Sequence, residues 1–250
     1  MIKKIILVGH DNFGAREIIS EIVKNHPHID FCIIITTGLY YKKSFFASII
    51  KMLREASFVF CLNRFWDGLI YKFKGDTLYS RSKKWKIEVY FTEDINGSKA
   101  HEYIKDFSPD LIVSTFTMHI YKEATIKLAR VATIGCHPSI LPDYRGLEVF
   151  FWQLVNKETS SGVSIFYMAE KIDAGNVIMQ EKFDITPDES VDSLYRKLTR
   201  ITARLMVTTI EKFKLGDKFE IFPSSGKGSY YPMPTRDAYR QFIAKKGKWR

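Results

Sequence analysis

His137 and Asp173 are the residues whose types and settings could carry proton chemistry. His137 lies in residues 135–146, Gly-Cys-His-Pro-Ser-Ile-Leu-Pro-Asp-Tyr-Arg-Gly. Asp173 lies in residues 171–176, Lys-Ile-Asp-Ala-Gly-Asn. Each follows a predicted strand or begins the loop before the next one. Open α/β sheets bind ligands at the carboxyl ends of their strands, so the two side chains can meet at one sheet end. An imidazole beside a carboxylate suits proton transfer during acyl transfer. Each residue alone says little. Pro138 biases His137 to an extended conformation, a histidine at a strand end is more often structural, and Asp-Ala-Gly is an ordinary tight turn. Cys136, beside His137, raises a nucleophilic role, but its alternation with Ile134 suggests a side chain at the end of a buried strand. With Cys32 and Cys61 it completes an odd set at unrelated spacings, which offers neither a metal pattern nor a disulfide framework.

The elements that must position the pair read as a β-α-β succession, hence a doubly wound, mostly parallel α/β sheet of Rossmann-like type with a short C-terminal extension. Strands are predicted over residues 3–9, 29–37, 86–91, 111–115, 131–136, 162–168 and 177–183. Helices are predicted over 15–25, 98–107, 121–129 and 147–156, and a long one follows Thr186-Pro-Asp-Glu189. There Thr186 reads as N-cap, Pro187 as N1 and Glu189 as N3. Its apolar stripe of Val191, Leu194, Leu198, Ile201, Leu205 and Ile210 reads as core. We divide the chain into a catalytic unit, 1–214, with a helical aromatic-rich insertion at 38–82, and an irregular extension, 215–250. Within the insertion two helices are expected, 44–53 and 58–73. Their aromatics, Phe45, Phe46, Phe58, Phe60, Phe65 and Trp66, could pack on the sheet or form a lid, a dimer face or a peripheral membrane contact.

Composition excludes several classes. The chain has 250 residues, 46% hydrophobic and 26% charged, as globular proteins do. No apolar run approaches the roughly 18 residues that span a bilayer. The four-residue apolar core near the start suits a strand better than a signal peptide, so a cytoplasmic location is expected. The net charge of +10 can attract anionic metabolites or nucleic acid. Its basic clusters, at 42–43, 81–86 and 245–250, do not interleave with aromatics and read as solvated surface, so no nucleic-acid partner is expected. Gly9 and Gly14 lack the middle glycine of a dinucleotide fingerprint, which discounts nicotinamide cofactors.

Residues 137–146 resemble the central loop of the formyltetrahydrofolate-dependent formyltransferases. Ser161-Gly162-Val163, the segment Asp173-Ala-Gly175 with Val177-Ile-Met-Gln180, and Ser108-Pro-Asp110-Leu-Ile-Val113 match in order. The similarity runs over most of 86–213. It implies direct formyl transfer from N10-formyltetrahydrofolate to an amine, without a metal, with His137 and Asp173 as the catalytic pair. It implies a pterin between the 91–96 loop and the 172–174 backbone, touching Phe91, Thr92, Asp94, Ile95, Ile172 and Ala174. It places the acceptor on Asn12, Phe13, Ser139, Tyr144, Arg145 and Gly146. One departure is plain: Gly135 stands where the family has an Asn that helps bind the formyl oxygen. Losing such a donor costs about 3 kcal/mol, or roughly 10²–10³ in rate.

Within the family, the Tyr144-Arg145-Gly146 form of the loop, Phe150-Phe-Trp152 and Ser229-Tyr-Tyr-Pro232 look most like sugar N-formyltransferases. These act on nucleotide-linked amino sugars for surface polysaccharides such as the lipopolysaccharide O-antigen, and many are homodimers. Methionyl-tRNA formyltransferase and glycinamide ribonucleotide transformylase are the other transferase branches. A binder impaired by Gly135 and a formyltetrahydrofolate hydrolase are the readings outside that class. Phe150 to Trp152 could equally pack a helix. Arg145 could clamp carbonyls instead of phosphate, and Tyr230 and Tyr231 could anchor the tail as a terminal strand.

Overall fold

Apolar runs buried on both faces become the central strands, as parallel sheets require. The computed structural model describes residues 2–37, 57–73, 75–224 and 226–250. Its main sheet contains β1 (Lys4–His10), β2 (Asp30–Thr36), β3 (Glu88–Thr92), β4 (Leu111–Thr115), β5 (Ala132–His137), β7 (Ser160–Tyr167) and β8 (Val177–Asp184), in the order β3-β2-β1-β4-β5-β7-β8. The first five are parallel, and β7 and β8 join antiparallel. The strand order reverses between β1 and β4, so the binding crevice of such a sheet opens at their carboxyl ends. A two-residue parallel pair, β6 (Arg145–Gly146) with β9 (Tyr230–Tyr231), lies apart.

The period of two along each strand splits the core. Ile5, Leu7, Ile33, Val113 and Ile134 face α1 (Phe13–Asn25) and the long helix, whereas Ile6, Val8, Ile34 and Ile112 face Ile104 and Tyr121. The other helices are α2 (Phe58–Phe73), α3 (Leu78–Trp85), α4 (Ser98–Phe107), α5 (Glu123–Ile126), α6 (Val149–Val155), α7 (Val191–Leu215) and α8 (Arg236–Ala244). The expected helix over 44–53 lies outside the described residues. In α2, Phe60 is buried against Phe151 and Trp249, while Phe58, Phe65 and Trp66 are exposed. Among the described residues no helix is long and apolar enough to cross a membrane.

Four local expectations are corrected. The long helix α7 is capped by Ser190, not Thr186. The Ser190 side chain accepts from Ser193 N–H in a capping box, and Thr186 instead donates to Glu189 Oε2 at 3.2 Å. Residues 186–188 are exposed and have no apolar face to pack, so helix there would gain little. The expected helix over 121–129 shrinks to α5, because the Asn96 side chain takes the Lys122 N–H and Tyr121 is fixed in the core. The basic cluster near residue 81 is not all solvated surface: it lies on α3, and Arg81 bonds Asp76, Glu17 and Ser20. The tail is not wholly irregular, since α8 packs Ala238 and Phe242 into the core.

Candidate active site

Strand β5 delivers His137 to the crevice, and the turn after β7 returns Asp173 to meet it. Asp173 has a left-handed backbone (φ +48°), which aspartate tolerates. Its Oδ2 lies 3.5 Å from His137 Nδ1 and accepts the Gly146 N–H at 2.9 Å. On the other side of the ring, His137 Nε2 donates to the Tyr144 carbonyl at 2.6 Å. A carbonyl can only accept, so Nε2 carries its hydrogen and Nδ1 is the nitrogen left to face the carboxylate. Both side chains are largely withdrawn from solvent. Gly146 has φ +103°, and a Cβ there would meet the Tyr231 carbonyl at 2.2 Å, so only glycine brings its N–H to Asp173.

The pair lines a cleft of about 800 Å³. One wall is the segment after β4, residues 116–121, and another is formed by residues 168, 169, 172 and 173. The far lobe is built by Asn12, Phe13 and Arg16 of the first βα turn with Phe60, Phe150 and Tyr195. Arg16 is buried and meets Asp11 at 2.9 Å. Burial holds the His119 imidazole below its ordinary value. Cys136 also lines the cleft, but burial pushes its thiol up to about 12, which leaves no thiolate for nucleophilic attack. Among the described residues no cluster of His, Cys, Asp and Glu could hold a metal ion.

The structure brings His137, Asp173, Ile172, Asn12, Phe13 and Gly146 together at the cleft. Phe91, Thr92, Asp94, Ile95 and Ala174 lie outside its lining. Phe91 packs on Tyr79, and the turn after β3 buttresses the 116–121 segment from behind: Ile95 N–H reaches His119 Nδ1 at 3.4 Å, and Asn96 donates to the Ile120 carbonyl at 2.9 Å. Ser139, Tyr144 and Arg145 also lie outside the lining and hold the loop instead. Ser139 Oγ donates to the Asp143 carbonyl, and the Tyr144 hydroxyl to Glu158. Arg145 clamps the carbonyls of Ser224 and Gly226 at 2.7 and 3.0 Å. Phe151 packs in the core, and Trp152 donates to the Pro232 carbonyl.

The sequence reading missed Ser114, Thr117, His119 and Tyr121, all of which line the cleft. Their signal was position: they end β4 or follow it, as His137 ends β5, and the carboxyl ends of neighbouring strands share one crevice.

A model of the formyl transferase family matches residues 77–210. The chain is 29% identical to methionyl-tRNA formyltransferase of Thermotoga maritima over 156 residues, which are 62% of this chain and 50% of that protein. It is 30% identical to the bifunctional polymyxin resistance protein ArnA of Wigglesworthia glossinidia brevipalpis over 151 residues, 60% of this chain and 23% of that protein. The matched stretch thus spans at most half the length of these curated relatives. The N-formyltransferase of Helicobacter canadensis, solved in complex with folinic acid and dTDP-3-aminofucose, shares the fold. Its TM-score is 0.62 at 20% identity, covering 95% of this chain and 72% of that one.

Proposed function

This chain belongs to the formyl transferase family, and from that premise we propose that it moves a formyl group from N10-formyltetrahydrofolate to the amine of a nucleotide-linked amino sugar. The observation that carries the reading is His137 facing Asp173 at 3.5 Å inside a cleft of about 800 Å³. That volume lies within the range of about 300 to 1,000 Å³ usual for ligand pockets. The folate lies between residues 116–121 and 168–173. The acceptor lies in the lobe of Asn12, Phe13 and Arg16, where a row of aromatic rings suits a nucleobase. The structural neighbour with dTDP-3-aminofucose supports this acceptor class, and the family's folate donor fits the neighbour with folinic acid. In this reading the product feeds surface polysaccharide assembly, and the enzyme works in the cytoplasm as a homodimer.

The chain's own groups divide the chemistry. The amine lone pair adds to the formyl carbon, and the carbonyl electron pair moves to oxygen. His137 Nδ1 takes the amine proton, while Nε2 stays tied to Tyr144 and fixes the ring. Asp173, itself oriented by the Gly146 N–H, stabilises the proton on Nδ1. The oxyanion then reforms the carbonyl, the bond to folate N10 breaks, and Nδ1–H returns the proton to N10. Each positioned proton transfer of this kind is worth about 10²–10⁴ in rate.

The test is an absorbance assay of tetrahydrofolate release, run with a panel of nucleotide-linked amino sugars and with His137→Ala. Release that requires both an amino sugar and His137, lost by about 10²-fold or more in an equally stable variant, is the expected result. Release without any amine would make the protein a hydrolase. Folate binding without release across the panel would contradict the assigned acceptor class.

A further inference from the structure

Formyl transfer to an amine builds negative charge on the formyl oxygen, and rate depends on hydrogen-bond donors aimed at it in advance. The donors closest to the catalytic pair are already committed: Gly146 N–H to Asp173, and His137 Nε2–H to Tyr144. Position 135, two residues before His137 and on the same face of β5, offers no side chain. A Cβ there would lie 2.6 Å from Met168 Sδ and 3.1 Å from Phe166 Cζ, so these side chains occupy the space a larger residue would need.

The neighbouring strand supplies what position 135 lacks. Ser114 is the register partner of Gly135 across β4 and β5, about 5 Å away, and their side-chain directions share one face. His137 is about 7 Å further along β5. Ser114, Thr117 and Tyr121 all line the cleft. Ser114 Oγ and Thr117 Oγ1 share one hydrogen bond of 3.3 Å. The Tyr121 hydroxyl lies beside both, on a residue 1% exposed, and makes no aligned hydrogen bond among the described residues. Three hydroxyl protons therefore serve one hydrogen bond. A buried polar group left in this way is met by ordered water or by a polar atom that arrives with a ligand.

We propose that the Ser114 hydroxyl donates a hydrogen bond to the formyl oxygen as that oxygen becomes negative, with Thr117 and Tyr121 as positioning residues whose hydroxyls donate to Ser114 Oγ. The proposal rests on the formyl-transfer reading above. Addition of the amine moves the C=O electron pair onto an oxygen that Ser114 O–H meets. Collapse returns that pair to the carbonyl as the C–N10 bond breaks, and Ser114 keeps its proton throughout.

The experiment measures kcat and KM for tetrahydrofolate release with the amino sugar that the wild type accepts, in Ser114→Ala, Ser114→Thr and Tyr121→Phe. Binding of 5-formyltetrahydrofolate and melting temperature are measured alongside. Ser114→Ala should lose about 10²-fold in kcat, with folate KM and affinity within twofold of the wild type. Ser114→Thr, which keeps the hydroxyl, should restore most of that loss, and Tyr121→Phe should fall between. An unchanged kcat in Ser114→Ala, or a loss confined to folate KM and affinity, would overturn the proposal. The second result would assign these hydroxyls to the pteridine. A wild type without amine-dependent release removes the formyl-transfer reading and this proposal with it, whereas normal wild-type turnover with an indifferent Ser114→Ala defeats this proposal alone.

Discussion

Replacing Gly135 by Asn tests whether the missing side chain was simply deleted or whether its space was refilled. The added Cβ would lie 2.6 Å from Met168 Sδ and 3.1 Å from Phe166 Cζ. Carbon-sized atoms rest at about 3.5–4.0 Å, so both neighbours must move. The Met168 thioether is the free end of a flexible side chain and can swing aside. Phe166 is 3% exposed and packed among Leu141, Val177 and Met168, so its ring has little room. Overpacking of this kind costs about 1–3 kcal/mol. Near 2 kcal/mol, a chain of this length should melt about 4–8 °C lower. Met168→Ala removes the closer obstacle. In a double-mutant cycle the pair should be less destabilised than the sum of the single variants, by about 1–2 kcal/mol. Urea unfolding of the four proteins measures this without any assumption about substrate. Additivity within about 0.5 kcal/mol would refute the idea that Met168 occupies the space of the absent side chain.

Two further outcomes follow from the geometry. Arg145→Ala removes two hydrogen bonds from a charged donor to the Ser224 and Gly226 carbonyls. It should destabilise the protein by about 2–4 kcal/mol and open residues 224–231 to limited proteolysis; an unchanged cleavage pattern would mean that the tail is held elsewhere. His26, His101 and His119 are each held below the ordinary imidazole value of 6.5, in every case first by burial. Their folded forms resist protonation, so between the folded values and 6.5 the unfolded chain binds more protons. Stability is then fully present above pH 6.5 and is lost as pH falls below it. Urea midpoints should decline from about pH 8 to about pH 5, and a midpoint that rises on acidification would contradict the sign.

What the sequence made legible follows from how each element is stabilised. β1, β2, β4 and β5 are buried on both faces, and β1 and β2 each read as an apolar run bounded by turn residues, while β4 and β5 carry β-branched apolar residues with a few small polar ones. His137 was visible because it ends β5, and Asp173 because it lies in the loop between β7 and β8. Strand order was not visible. β3 follows the insertion in sequence but lies at the sheet edge, two strands from β1, so the turn after it meets the 116–121 segment from behind. β4 lies between β1 and β5, which places residues 116–121 where a ligand can reach them. The cap of α7 was ambiguous for a different reason. Thr186-Pro-Asp-Glu189 and Ser190-Val-Asp-Ser193 both satisfy local capping chemistry, and tertiary burial of Val191 and Leu194 decided between them.

The tail shows how a segment outside the cleft can govern geometry inside it. Gly146 gives its N–H to Asp173, and its position depends on what holds the loop from behind. There, Arg145 N–H donates to the Ser229 carbonyl and Leu147 N–H to the Tyr231 carbonyl, so β6 and β9 pair around Gly146 itself. Tyr144, whose carbonyl fixes His137, receives its own backbone anchor from Ser229 Oγ at 2.8 Å and stacks on Tyr231 at 4.7 Å between ring centroids. Residues 229–231 therefore support both ends of the His137–Asp173 contact, one through the Tyr144 carbonyl and the other through the Gly146 N–H. Two side chains 3.5 Å apart are thus supported by one short segment, so a displacement of that segment would move both in concert and preserve their separation better than independent supports could.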